Sequence, residues 1–229
     1  MDVAVIGGTG EEGFGLSIRL GKAGHRVVIG SRSAEKGSAR AADALRVLGD
    51  RAKIEGTTNQ EAAGAGEVVV VTVPYAGQAE IYRAIKPNVA PGTIVLDATS
   101  PLATAVGGRP WQVIRPWHGS AAEQARAILE KGVRMVAGFH TIPAEALQTL
   151  DVPIESDVLV CGGDMEAKQV VGSLIEHISN LRWVDCGDLS MARISETLTA
   201  LLVGVNRAYR IHDAGFRIVG KDSWGSPPG

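Results

Sequence analysis

Cysteine is nearly absent: Cys161 and Cys186 are the only two in 229 residues. They fall in different predicted elements, with no CxxC spacing and no ligand cluster around them. That excludes a disulfide-stapled scaffold or a cysteine metal knuckle, and the expectation is two buried thiols in a reducing cytosol. No apolar run approaches the ~18 residues of a membrane-spanning helix, and Met1 leads straight into a strand-like run rather than a targeting segment. A cytoplasmic location is expected. Charge of one sign is missing too. The 23 basic and 25 acidic side chains leave a formal net charge of −2, which gives no electrostatic reason to expect nucleic acid or an anionic membrane as partner. Any anion site must therefore be made locally. What the chain has in excess is glycine, 29 residues against a usual ~7%, placed at strand ends and turns rather than in a low-complexity tract. With 45% hydrophobic residues, a chain of this length buries roughly three quarters of its unfolded surface and stays folded without a staple.

Short β-branched runs at 3–6, 26–29, 67–73, 93–96 and 134–138 alternate with helix-like stretches at 16–22, 34–48 and 79–85. Ser120 with Glu123 three positions later has the spacing of a capping box and starts another helix. Continuous apolar strands separated by helices are covered on both faces, so the prediction is a doubly wound parallel α/β sheet. That domain is expected over 1–143. Over 144–229 a smaller C-terminal α/β piece is expected, built from 157–161, 166–178 and 181–184 and closed by a long helix over 190–210. Ile194, Leu198, Leu201, Leu202 and Val205 form an apolar stripe on that helix, to be packed on its own domain or across a two-fold axis. The Gly/Ser/Pro-rich tail 223–229 is expected to be mobile.

The run 3–6 opens directly into Gly7-Gly8-Thr9-Gly10-Glu11-Glu12-Gly13. Read from Gly8, this is Gly-x-Gly-x-x-Gly between a strand and a helix, the Rossmann dinucleotide fingerprint. One glycine serves the tight turn, one the close approach of a pyrophosphate, and one the packing of helix on strand. Free N–H groups at the helix start then face the phosphates. Glu11 and Glu12 are awkward there, because carboxylates aimed inward would repel the pyrophosphate, and both are expected to face solvent. The second strand selects the nucleotide. It ends Gly30-Ser31-Arg32, without the acidic residue that accepts from a ribose 2′-hydroxyl. The Ser31 hydroxyl, the Arg32 fork and Lys36 one turn further on suit a 2′-phosphate instead. The predicted cofactor is NADP(H). The strand ends at Thr72-Val73-Pro74 and Ala98-Thr99-Ser100 should line its two halves, since ligands in open parallel sheets lie beyond the carboxyl ends of the strands.

The second reactant is less clearly written. His25 and His177 are expected at the surface, His212 has no site around it, and His118 lies in a Trp-containing loop over 109–118. His140, in His140-Thr141-Ile142-Pro143-Ala144 directly after a strand, is better placed. No lysine occupies an equivalent position, which points away from strong proton transfer to a carbonyl.

Several of these segments together carry a family resemblance. Gly7-Gly8-Thr9-Gly10, Gly30-Ser31-Arg32 with Lys36, Thr72-Val73-Pro74, Ser120-Ala121-Ala122-Glu123, His140-Thr141-Ile142-Pro143-Ala144, Val160-Cys161-Gly162 and Asp185-Cys186-Gly187-Asp188 resemble the coenzyme F420-dependent NADP oxidoreductases, over residues 1 to about 210. The resemblance implies reversible hydride transfer between a reduced deazaflavin, coenzyme F420, and NADP+. It also implies a homodimer with small-molecule partners. Carried over, Thr9, Gly10, Glu11 and Glu12 hold the pyrophosphate side and Ser31, Arg32 and Lys36 the 2′-phosphate. The turn from His140 to Ala144 and the last helix shape the deazaflavin pocket. Two alternatives remain: an NADPH-dependent imine or keto-acid reductase using His140 as acid, and a non-catalytic NADP(H) sensor.

Overall fold

The computed structural model describes residues 1–220, so the tail 223–229 lies outside the described residues. The first half runs β1 (Asp2–Ile6), α1 (Glu11–Lys22), β2 (Arg26–Ser31), α2 (Ala34–Leu48), β3 (Ile54–Thr58), α3 (Asn59–Ala65), β4 (Val68–Val71), α4 (Tyr75–Ile85) and β5 (Ile94–Asp97). Then come α5 (Ala121–Ile128), β6 (Arg134–Ala137), α6 (Ala144–Gln148), β7 (Asp157–Val160), α7 (Met165–Glu176) and β8 (Arg182–Asp185). A 3-10 turn over Leu189–Met191 leads into α8 (Ala192–Ser195) and α9 (Leu198–Tyr209), which together make the closing helical stretch.

Six strands form one parallel sheet in the order β3-β2-β1-β4-β5-β6. Side chains alternate across it, as the two-residue period of a strand requires. Val3, Val5, Val27, Ile29, Val68, Val70 and Leu96 face one core with Leu16, Ile18 and Leu20 of α1. Ala4, Ile6, Val28, Val69, Val71 and Val95 face the other with Ala63, Tyr82, Ile85 and Ala125. This is the doubly wound arrangement.

The strands β7 and β8 form a separate parallel pair, joined to the main sheet by a bridge in which Ala137 and Cys161 exchange N–H···O bonds of 2.8 and 2.9 Å. Val158, Val160, Val171 and Leu174 belong to the same core as α1, so apolar packing is continuous across position 143. The guanidinium of Arg19, buried in α1, reinforces that seam. It donates to the carbonyls of Ala146 (2.8 Å), Leu147 (3.0 Å), Thr149 (2.6 Å) and Val152 (3.0 Å). An unpaired buried cation would be costly; here four carbonyls solvate it and thereby fix α6, and the turn after it, against the start of the chain.

One expectation about the fold is corrected. His25 is buried rather than at the surface, its Nε2 lying 3.0 Å from Nδ1 of the exposed His177. The apolar stripe of the closing helix is only partly packed within the chain: Leu202 is buried, while Ile194 and Leu201 are more than half exposed.

Candidate functional site

The glycine turn is built by sterics. Gly7 has φ +74°, a region that favours glycine. A Cβ on Gly13 would lie 2.5 Å from Thr72 Oγ1 and 2.7 Å from Gly8 Cα, so helix and strand approach there only without a side chain. Around Gly10, by contrast, the nearest atom to an added Cβ is 3.4 Å away, which leaves that side open to a ligand. Gly10 is the N-cap of α1 and offers no side-chain cap, so the first N–H groups of the helix point into the opening. The turn is held from beneath by Asn59, buried at the start of α3, whose Oδ1 accepts from Gly7 N–H at 3.1 Å.

Beyond the carboxyl ends of β1, β2 and β4 lies a cavity of about 630 Å³ lined by Gly7, Thr9, Gly10, Ser31, Arg32, Asn59, Thr72, Val73 and Pro74. A second, of about 340 Å³, shares Gly10, Thr72, Val73 and Pro74 with it and continues past Glu11 and Glu12 to Ser100, His140, Ile142, Ala144 and Thr199. The two form one cleft. It brings together most of the residues picked from sequence. Gly8 and Gly13 lie underneath as packing positions, and Lys36 is exposed on the first turn of α2, where Ser33 Oγ accepts from its N–H at 3.4 Å. Thr141 is buried and Pro143 caps α6, both behind the wall rather than on it. Among the described residues neither Arg32 nor Lys36 has a carboxylate partner.

The two glutamates of the fingerprint behave differently. Glu11 is exposed, as expected, but Glu12 turns inward, half-buried on the cleft wall. Burial, with the nearby charge of Asp97 as a smaller cause, raises its carboxyl to about 8. At neutral pH Glu12 is therefore mostly a neutral acid, and the repulsion expected at the phosphates is relieved by a proton rather than by orientation.

Behind the cleft is a buried polar junction that local sequence does not announce. Asp97, ending β5, accepts from Tyr82 Oη (2.6 Å), Gln78 Nε2 (3.0 Å), Thr99 N–H (2.9 Å) and Thr99 Oγ1 (3.3 Å); burial still lifts it to about 6. Glu196, just after α8, reaches across to cap α5, accepting from the N–H groups of Ala121 (2.7 Å) and Ala122 (2.9 Å). Burial raises Glu196 to about 8. Glu123 spends its carboxylate on Arg193 (2.6 and 2.8 Å) instead of closing the expected capping box. Asp97, His140 and Glu196 bring one ligand-type atom each to within 4.8 Å of one another. The oxygens of both carboxylates are already engaged by these donors, so the pair is a hydrogen-bonded junction beside an unbonded His140 and not an open ligand set.

His140 follows Phe139, whose φ of +69° is unusual for a bulky residue and reverses the chain over the sheet edge. The imidazole is buried, its Nε2 has no hydrogen-bond partner among the described residues, and burial lowers it to about 3. It is a neutral ring at any ordinary pH. Its carbonyl accepts from Thr199 Oγ1 (2.7 Å), whose oxygen also lies 2.6 Å from Ser100 Oγ, so the turn after β5, the His140 turn and α9 are tied across the cleft. In the 109–118 loop, Trp111 is flanked by Arg109 and Arg207, 5.4 and 4.2 Å from the ring centroid, and Trp117 is 95% exposed.

Comparison with known proteins gives this geometry a context. Residues 2–101 match the family model described as NADP oxidoreductase, coenzyme F420-dependent. The chain is 42% identical over 220 residues to the F420-dependent NADP reductase of Methanothermobacter thermautotrophicus, covering 95% of this chain and 94% of that one. It is 39% identical over 221 residues to the F420-dependent NADP reductase of Methanocaldococcus jannaschii, covering 95% and 98%. A crystal structure from Arthrobacter sp. FB24, described as an F420-dependent NADP-reductase, aligns with a TM-score of 0.82 at 25% identity over 96% of this chain and 100% of that one. An imine reductase from Streptomyces aurantiacus, 20% identical with a TM-score of 0.56 over 92% of this chain and 62% of its own, shares the fold.

Proposed function

The chain belongs to the coenzyme F420-dependent NADP oxidoreductase family, and from that premise we propose that it transfers a hydride reversibly between reduced coenzyme F420 and NADP+. The observation that carries this reading is the single cleft, with Arg32 at one end, without a carboxylate partner among the described residues, and the uncharged His140, Ile142 and Ala144 wall at the other. The residues fit NADP(H). Thr9 and Gly10, with the uncapped N–H groups at Glu11 and Glu12 and with Gly8 and Gly13 packed beneath them, take the pyrophosphate; Ser31, Arg32 and Lys36 take the 2′-phosphate; Val73 and Pro74 back the nucleoside. The wall of His140, Ile142 and Ala144, backed by Thr141 and Pro143 and with Thr199 opposite, shapes the deazaflavin slot.

When bound, the two ring systems supply both the hydride donor and the acceptor carbon. The protein's share is position and dryness, because rings held with reacting carbons about 3–3.5 Å apart need little else. A neutral His140 suits that role, because it contributes a flat, uncharged wall. It does not suit the imine or keto-acid reductase alternative, which calls for a general acid at this position, since a ring lowered to about 3 is not the imidazolium at neutral pH and its remaining N–H is a very weak acid.

Mixing the protein with NADPH and oxidised coenzyme F420 bleaches the deazaflavin's visible absorbance if this reading is right. Bound NADPH with no bleaching at substantial enzyme concentration would sink it.

The working form in this reading is a cytoplasmic homodimer, with the smaller C-terminal domain that begins at residue 144 completing the slot. Ile194 and Leu201, 57% and 55% exposed on the closing helix, supply the apolar contact. Leu201→Glu is expected to sediment as a monomer; an unchanged particle size would remove this helix from the interface.

A further inference from the structure

The two cysteines, far apart in sequence, are brought side by side. The β7–β8 ladder has Val160 opposite Asp185 as its last register pair, and the pairing runs one step beyond it. Cys186 N–H donates to the Val160 carbonyl at 2.8 Å and Gly162 N–H to the Gly187 carbonyl at 2.9 Å, which brackets Cys161 against Cys186. Both side chains enter the same core, on one face of the pair. Neighbouring strands lie about 4.8 Å apart, inside the ~4.4–6.8 Å between Cα atoms that a disulfide spans. The strand register sets the two thiols side by side, and both are free.

Their environments differ in a useful way. Cys186 is half-buried and offers the way in, while Cys161 is fully buried. The Cys161 thiol is drawn below its ordinary range, first by the Cys186 thiol beside it and then by the Ser195 hydroxyl, while Cys161 and burial push the Cys186 thiol well above its own, so Cys186 attacks slowly at neutral pH and faster as pH rises. Neither sulfur lines the nucleotide cleft.

We propose that Cys161 and Cys186 form a modification site that closes into a reversible intramolecular disulfide when the folded chain meets a low-molecular-weight disulfide such as oxidised glutathione. Cys186, the accessible partner, loses its proton to solvent and attacks one reagent sulfur, breaking the reagent's S–S bond and releasing one thiol. Cys161 then loses its proton, displaces the second thiol from Cys186, and completes the new bond. The pair gives up two protons and two electrons, and the reagent is reduced to two thiols. Closure pulls Cys161 Sγ away from Ser195 Oγ, now 3.6 Å distant on α8, one residue before the Glu196 that caps α5.

The test uses the full native chain with oxidised glutathione, read by intact mass, thiol alkylation and peptide mapping. The expected product is lighter by two hydrogen atoms, has lost both alkylatable thiols together, carries a single Cys161–Cys186 linked peptide, and returns to the dithiol with dithiothreitol. Cys161→Ser should stop at a glutathione adduct on Cys186, and Cys186→Ser should react at least tenfold more slowly than the native chain. Retention of both thiols, accumulation of the adduct in the native chain, or a cross-link between chains would overturn the proposal. Should either variant fail to fold, the linked peptide from the native chain decides alone.

Discussion

Replacing Arg32 with alanine raises the Michaelis constant for NADPH by about tenfold to a hundredfold and leaves that for NADH within about twofold. The size follows from one lost charge-assisted hydrogen bond, worth about 1.5–3 kcal/mol, at about 1.4 kcal/mol per decade. The selectivity follows from position. Ser31 is buried at the carboxyl end of β2, Arg32 lines the adjoining cavity, and no carboxylate stands at that strand end to bind a 2′-hydroxyl. Arg32 has no internal ion pair among the described residues, so its removal leaves the fold's own contacts in place. Arg32→Lys should fall between, keeping the charge but losing the planar two-donor fork. Steady-state kinetics with both nucleotides decide the matter. Equal losses for NADPH and NADH would mean that the 2′-phosphate lies elsewhere.

How far the site could be read from sequence depended on where its information was stored. The glycine turn and the Ser31-Arg32 corner are local: a few consecutive residues dictate both the backbone path and the chemistry, and both line the cleft. The four valines of β4 are equally plain, because a strand covered on both faces is apolar throughout. The edge strand β3 is hidden for the opposite reason. Only Ile54 of its five residues is buried, and α2 rests on its backbone through Gly37 and Gly56, where any Cβ would collide. A capping box follows it, with Thr58 Oγ1 accepting from Glu61 N–H at 3.2 Å, and that signal could have located α3 and with it Asn59 under the glycine turn. Nothing local marks Glu196. It matters because the fold brings it to the N-terminus of α5, 74 residues away along the chain from Ala122. The same holds for the meeting of Cys161 with Cys186, which only strand register creates.

Glu12 is the place where sequence and structure meet in a contradiction, and its resolution predicts the second large effect. Apparent affinity for NADPH should fall about thirtyfold between pH 7 and pH 9.5, while in Glu12→Gln it stays nearly flat. Proton linkage gives the sign. A carboxyl raised to about 8, chiefly by burial and then by Asp97, is neutral below that pH and negative above it. Its ionisation sets a charge on the cleft wall shared with the phosphate-facing turn, so a polyanionic ligand binds the protonated form. Each pH unit beyond about 8 then costs close to tenfold in affinity. Stability obeys the same proton. Over the window from the ordinary carboxylate value near 4.5 up to about 8, the folded chain holds a proton that the unfolded chain has released, so this group lowers stability as pH rises and adds no further slope above 8. Glu12→Gln removes that slope and should unfold at higher temperature than the parent at pH 8, with no such gain near pH 4. Glu196 titrates in the same range, and it is separated by its own variant. Its carboxylate is held by two helix N–H groups behind the cleft, so Glu196→Gln should disturb α5 yet leave the alkaline loss of NADPH affinity in place. Isothermal titration across pH, run on the parent and both variants, reads the difference directly. If Glu12→Gln loses affinity as steeply as the parent, the proton that matters is not on Glu12.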